Sequence, residues 1–233
     1  MRPLSSRVVK TKNRTKEIVG VQQATDKIPT DVFENLHIEQ DQWRIIKKTL
    51  QLLANGCPVP PEEIGICLQV TPDTVISTLR GFGAEFDKDG NIVGVGLTLV
   101  PTPHIYKANG RKLYTWCAVD ALLFPVMLKH TAHIESADPI SGDKMRVTVT
   151  PDGVEKVKPE SAVVSWVNSA DLSNIRGSVC HYVYFFSSPE TASRWIAEHP
   201  GKMMMFYPVI DAFQAAKKIQ NKYSEMSETD VCC

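Results

Sequence analysis

The 233-residue chain carries no net charge, 26 basic residues balancing 26 acidic ones, so no global field draws it to nucleic acid or to a membrane surface. It also lacks a bilayer-spanning apolar run; the longest stretches, such as residues 117–128, contain Asp120 and Pro125. The opening MRPLSSRVVKTKNRTKE is basic but has no apolar centre of the kind a secretory signal needs. A soluble, cytoplasmic protein is expected, with no membrane and no nucleic-acid partner. There is no CxxC pair, which argues against a zinc site or a thioredoxin-like motif. A disulfide framework is not expected in a chain this long without an export signal. The six cysteines, at 57, 67, 117, 180, 232 and 233, are therefore expected to be reduced. A glycine-rich phosphate loop, a GxSxG elbow, an HExxH helix and internal repeats are all missing.

What is present sorts by texture into four parts. Residues 1–30 begin with a basic arm, Arg2, Arg7, Lys10, Lys12, Arg14 and Lys16 against Glu17, and read as flexible. Residues 31–103 read as a winged-helix-like unit. In it DQWRIIKKTLQLLA sets Trp43, Ile46, Leu50 and Leu53 at helical spacing. PPEEIGICLQV and TPDTVISTLRGF follow as two short helices, the second with Thr71 as N-cap, Pro72 at the first position and Thr74 at N3. Ile64, Cys67 and Leu68 supply the apolar stripe of the first, so Cys67 is expected to be buried, and Cys57 is expected in a turn. EFDKDGNIVGVGLTLVPTPH reads as strands around turns. Its DKDGN suits a hairpin better than a calcium loop, because Ile92 stands where an EF-hand beginning at Asp87 needs glycine. Such a unit can read DNA, but its would-be recognition helix offers only Arg80 as a base, and a packing module is the better reading.

Residues 104–224 are expected to form an α+β domain, a mixed β-sheet with flanking helices. MRVTVT and AVVSWV read as strands, SVCHYVYFFSS as an alternating aromatic strand, and PETASRWIAEH as a helix. PVIDAFQAAKKIQNKY reads as a last helix with Ile210, Phe213, Ala215, Ala216 and Ile219 mostly on one side. Residues 225–233 form a polar tail ending in Cys232 and Cys233. That exposed pair is either an accidental oxidation liability or a mobile acceptor for a metal held elsewhere.

For chemistry, the His130/His133 pair could ligate a metal, although surface histidines near a helix end are commoner. The sharper feature is LYTWCAVDALLFP, residues 113–125. If helical, it places Cys117 and Asp120 on one face, three residues apart. Its carboxylate then sits among Trp116, Val119, Leu122, Leu123 and Phe124, which is costly unless something pairs with it. No local histidine makes Cys117 a protease nucleophile. A thiolate beside a carboxylate suits a different task, binding a soft metal while moving a proton.

FDKDGNIVGVGLTLVPTPHIY, RKLYTWCAVDALLFP and SVCHYVYFF together resemble the organomercurial lyases (alkylmercury lyases) of bacterial mercury-resistance operons, from about residue 40 to about residue 220. The resemblance implies that Cys117 and Asp120 are catalytic and that Cys180, from a later strand, completes the site. It further implies that these three residues hold mercury as substrate and product, and that no cofactor is needed. The carbon–mercury bond is then broken by protonolysis, giving hydrocarbon and Hg(II), with Asp120 carrying the proton. Free thiols remove the metal, and mercuric reductase is the expected acceptor. His181 stands where some relatives carry another cysteine and receives no role. Tyr114 and Trp116 flank the site and shape it or pack. Two rival readings are a mercury-responsive winged-helix regulator without turnover and a lipidated protein prenylated at its terminal cysteines.

Overall fold

The computed structural model describes Ile28 and residues 38–167 and 174–224. The basic arm and the Cys232/Cys233 tail lie outside the described residues. Three helices open the described chain: α1 (Gln40–Leu53), α2 (Pro61–Leu68) and α3 (Pro72–Gly81). Helix α1 starts with a capping box between Glu39 and Gln42 and buries Trp43, Ile46, Leu50 and Leu53 along the expected stripe. Thr71 caps α3 as its sequence implies, accepting from the Thr74 backbone N–H at 3.2 Å. Cys67 departs from expectation and is only partly buried. Ile64 and Gly65 face the core in α2, because Gly65 lies too close to the Val70 carbonyl to carry a side chain. Cys57 is exposed after the turn, as expected.

Strands β1 (Glu85–Phe86), β2 (Ile92–Val95) and β3 (Leu97–Thr98) follow. The DKDGN segment is a hairpin turn, with Asp87 Oδ1 accepting from the backbone N–H of Asp89 at 2.9 Å and of Asn91 at 2.8 Å. Strands β4 (His104–Ala108) and β5 (Arg111–Thr115) form the next hairpin. Helix α4 (Ala118–Leu128) comes next, then β6 (Ala132–Ala137), β7 (Lys144–Val149) and β8 (Val154–Lys158). These eight strands make one sheet in the order β1-β2-β3-β5-β4-β6-β7-β8, so the ribbon after the three helices continues into the later strands.

The second sheet has β9 (Val163–Val167) between β10 (Phe185–Phe186) and β11 (Met204–Pro208). Around it lie the short α5 (Ile175–Ser178), a 3₁₀ turn at Cys180–Tyr182, α6 (Pro189–Glu198) and α7 (Val209–Ser224). The α+β class holds. The mixed pairing expected for the sheet does not: every ladder among the described strands is antiparallel. Tight turns join most neighbours, and parallel pairing would need long crossovers.

Helix α4 is apolar around most of its circumference because it is covered on both sides, by the sheet and by α7. Its Ala118, Val119, Ala121, Leu122 and Phe124 are buried, as are Phe213, Ala216 and Ile219 of α7. Ile210 departs from the expected stripe and stands 56% exposed at the start of α7. Full burial of a Leu or Phe contributes about 1.5–3 kcal/mol, so this covered helix is an anchored platform for whatever its N-terminus holds.

Candidate active site

The stretch LYTWCAVDALLFP is not one helix. Its first part ends β5, and its second is α4, with Cys117 as the N-cap between them. Extended Leu113–Thr115 pairs with β3 and β4 on either side, Leu97 and His104 both opposing Thr115. The Thr115 hydroxyl donates to the Cys117 carbonyl at 2.9 Å, turning the chain from strand to helix. Cys117 Sγ then takes the part usually played by a serine or aspartate oxygen, accepting from the Asp120 backbone N–H at 3.4 Å. Asp120 therefore sits at N3 and meets Cys117 through capping, where the sequence suggested a shared helical face.

Cys180 lies in the 3₁₀ turn after α5, not on the strand expected from SVCHYVYFFSS. Only Phe185–Phe186 of that segment pairs as a strand, because Ser165 captures the backbone before it. The Ser165 hydroxyl donates to the Tyr182 carbonyl at 2.7 Å and accepts from the Tyr184 N–H at 2.9 Å. A further bond, from Ala118 N–H to the Val183 carbonyl at 3.1 Å, ties the first residue of α4 to the turn that carries Cys180. Through these contacts the ligand atoms of Cys117, Asp120 and Cys180 come within 4.8 Å of one another. Cys180 Sγ stands 4.0 Å from Asp120 Oδ2.

Both cysteines are buried and unoxidised, and Asp120 is partly buried. Burial pushes the Cys117 thiol well above its ordinary range, reinforced by its hydrogen bond with Cys180 and by the negative charge of Asp120. Burial also pushes the Asp120 carboxyl up to about 6, against the opposing effect of its hydrogen bonds with Cys117. The free site thus holds its thiol proton firmly, beside a carboxyl that changes state near neutrality.

Trp116 flanks the site as expected. Its Nε1–H donates to Glu85 Oε2 at 3.0 Å, and its ring lies 4.5 Å below the Arg176 guanidinium. Tyr114 is half-buried, with Lys112 Nζ 5.5 Å from its ring centroid. His181 is exposed and packs its ring edge-on to Tyr182, 5.6 Å between centroids. The His130/His133 pair forms no site: His130 Nε2 bonds the Tyr106 hydroxyl at 2.6 Å, and His133 Nδ1 bonds Thr148 at 3.2 Å. Glu85, Gly96 and Arg176 at the site's margin escaped the sequence reading. No local pattern marks them, since Glu85 precedes Trp116 by 31 positions and Arg176 by 91.

Two thiols and a carboxyl converging in an α+β fold form a donor set suited to a soft metal ion. The comparisons give that class its family. The alkylmercury lyase (MerB) family matches residues 97–221, and the chain belongs to it. It is 39% identical over 193 residues to an alkylmercury lyase of Staphylococcus epidermidis, covering 82% of this chain and 88% of that one. An alkylmercury lyase of Streptomyces lividans is 40% identical over 192 residues, covering 82% and 87%. Among solved structures, the mercury-bound form of MerB2 superposes with a TM-score of 0.71 at 25% identity, covering 82% of this chain and 98% of that one.

Proposed function

We propose that Cys117, Asp120 and Cys180 carry out the reaction that family membership assigns to this enzyme, cleavage of the carbon–mercury bond of an organomercury compound. The observation that carries the assignment is their convergence: two buried thiols and one carboxyl, drawn from segments 60 residues apart, offer their ligand atoms within 4.8 Å. A purely structural role does not account for a carboxyl held beside two buried thiols.

The chemistry follows from the protonation states. Cys117 keeps its proton in the free site, so mercury must displace it, and a coordinated thiol is deprotonated outright. Asp120, with its carboxyl near pH 6, is placed to accept that proton, its backbone already bonded to Cys117 Sγ. Cys180 adds the second thiolate, its own proton leaving with the anionic ligand that the organomercury compound brings and sheds. Each thiolate pushes electron density onto mercury and thence onto the attached carbon, which becomes basic enough to take the proton back from Asp120. The carbon–mercury bonding pair becomes the new carbon–hydrogen bond. Hydrocarbon departs, and Hg(II) remains on two thiolates. Mercury is substrate and product throughout, and the protein itself needs no organic cofactor.

Release requires competing thiols, because a two-thiolate chelate holds a soft ion tightly. Free cytoplasmic thiols, and mercuric reductase as the final acceptor, fit that need. A cytoplasmic setting also keeps Cys117 and Cys180 reduced. No helix among the described residues is long and apolar enough to cross a membrane.

The deciding experiment incubates the protein with phenylmercury and excess free thiol and measures benzene. Stoichiometric mercury binding without benzene rejects turnover and leaves a binding or sensing protein.

A further inference from the structure

We infer that Glu85, in the short strand after the three helices, is a positioning residue that holds the two cysteine-bearing segments in their working geometry; this rests on the roles given above to Cys117 and Cys180. Glu85 touches no reacting atom. Its carboxylate instead joins the residue before one cysteine to the helix before the other. Oε2 accepts from Trp116 Nε1 at 3.0 Å and from the Thr98 hydroxyl at 2.6 Å, while Oε1 accepts from Arg176 at 2.7 Å. Trp116 immediately precedes Cys117. Arg176 lies four residues before Cys180, on α5, which runs into the 3₁₀ turn. The Arg176 guanidinium also stacks over the Trp116 ring at 4.5 Å, closing a triangle of carboxylate, indole and guanidinium.

The fold makes room for this carboxylate. A Cβ at Gly94 would overlap Glu85 Oε2 and crowd the Thr98 side chain, so the bare backbone there lets Glu85 lie across the ribbon. The side chain is 15% exposed against 42% for Arg176, which places the anion inside the contact and the cation at its rim. Burial alone would raise the carboxyl's pKa. The hydrogen bonds from Thr98, Trp116 and Arg176, with the Arg176 charge, outweigh it and hold Glu85 ionised.

The linkage reaches Asp120 as well. The Trp116 N–H donates to the Gly96 carbonyl at 2.8 Å, and a Cβ at Gly96 would stand 3.7 Å from Asp120 Oδ1. Glu85 therefore fixes Trp116, Trp116 is bonded to the backbone behind the acid, and Arg176 anchors the arm that brings Cys180. A misplacement of about 1 Å in such a constellation can cost on the order of a hundredfold in rate.

The test is a double-mutant cycle in the full-length protein, with Glu85→Gln and Arg176→Lys. Glu85→Gln keeps the shape but turns one acceptor into a donor facing Arg176 or Trp116. Arg176→Lys keeps the charge but loses the planar stack. Three quantities are read: kcat and KM for phenylmercury with benzene as product, the free-thiol concentration that strips one equivalent of bound Hg(II), and Tm. Each single variant should lower kcat about tenfold with KM within about twofold, and should lose Hg(II) at about tenfold less thiol. The double variant should be no worse than the poorer single, because both changes break one linkage.

A carboxylate that merely stabilises the fold lowers Tm while kcat and Hg(II) retention stay within about twofold of the parent; that result overturns the proposal, as does a double variant whose losses multiply. If Glu85→Gln does not fold, Arg176→Lys, altered at a side chain 42% exposed, decides the matter alone by the same readings. A parent protein that retains Hg(II) but yields no benzene defeats the lyase assignment. The Hg(II)-retention comparison still decides the role of Glu85.

Discussion

Asp120 donates its backbone N–H to Cys117 Sγ at 3.4 Å, so the residue whose carboxyl lies beside the thiol also fixes it. Capping by sulfur is weaker than capping by oxygen, yet it leaves the Sγ directed at the start of α4, where peptide dipoles favour negative charge. In the free protein burial and the Asp120 charge oppose that tendency and keep the thiol protonated. In the proposed mechanism mercury tips the balance, since a metal ion replaces the proton on sulfur and offsets the site's negative charge.

Replacing Cys117 or Cys180 by Ser should each lower turnover by at least about a hundredfold, as expected for loss of a principal catalytic group. Folding should survive, because serine is nearly isosteric and both positions remain able to hydrogen-bond. Benzene release is the measurement, and near-normal release from either variant removes that cysteine from the mechanism.

Asp120→Asn should retain organomercurial on the two thiols but release no hydrocarbon. It should also be more stable than the parent at pH 8. The folded-state pKa of Asp120 is raised from 3.8 to about 6, so the stability it contributes in acid is lost as pH rises through about 6. Removing the ionised form should therefore stabilise the alkaline protein by roughly 1–3 kcal/mol, with the lower end allowing for partial solvent contact. Paired thermal melts at pH 5 and pH 8 check the sign: the gain should shrink in acid. A variant destabilised at pH 8 would show that the carboxylate is needed by the fold.

The pH profile of kcat/KM should break near pH 6 and fall below it. Asp120 must be ionised in the free enzyme to accept the thiol proton, and its carboxyl is pushed up to about 6 by burial. Above the break the rate should stay level through neutrality, since mercury displaces the Cys117 proton onto Asp120 and no free thiol has to ionise in water first. A rate that climbs only above about pH 8, with no break near 6, assigns the limiting ionisation to a thiol instead.

Gly96→Ala should impair both stability and turnover. Gly96 has φ +76°, and a Cβ there would lie 2.8 Å from Phe124 Cζ and 3.7 Å from Asp120 Oδ1. Left-handed backbone with a side chain, together with the clash, should cost roughly 1–3 kcal/mol. The measurement is denaturant unfolding beside single-turnover benzene release. An unchanged midpoint would mean that Phe124 has space to retreat, and the close approach of Gly96, between β2 and β3, to α4 then has no energetic weight.

Much of the architecture could be read from the chain. The apolar stripe of α1 follows from its helical spacing, and the Thr71 cap with Pro72 behind it and the DKDGN hairpin follow from local rules, because the partners of those two lie within four residues. Where burial depends on distant packing, local reading failed: Cys67 and Ile210 look like core residues by spacing, yet nothing covers Cys67 fully and Ile210 faces outward.

The same division runs through the site. The sequence by itself singled out the residues proposed to carry the chemistry, because a thiol and an acid three positions apart in an apolar stretch, with a second cysteine in SVCHYVYFF, are local and recognisable patterns. It also determined that Cys117 and Asp120 would be neighbours, by any route that makes residues 118–128 a helix. Only the tertiary structure decided how they meet. Strand β5 is flanked by β3 and β4, which forces an extended chain up to Thr115 and makes Cys117 a cap. Ser165 captures the backbone at Tyr182 and Tyr184, and Val183 accepts from Ala118, which bends Cys180 off the strand and over the acid. Glu85, 91 residues before Arg176, reaches the margin of the site through a hydrogen bond across the fold. Such bonds join residues with no fixed spacing, and their energies depend on burial that exists only once both sheets have formed.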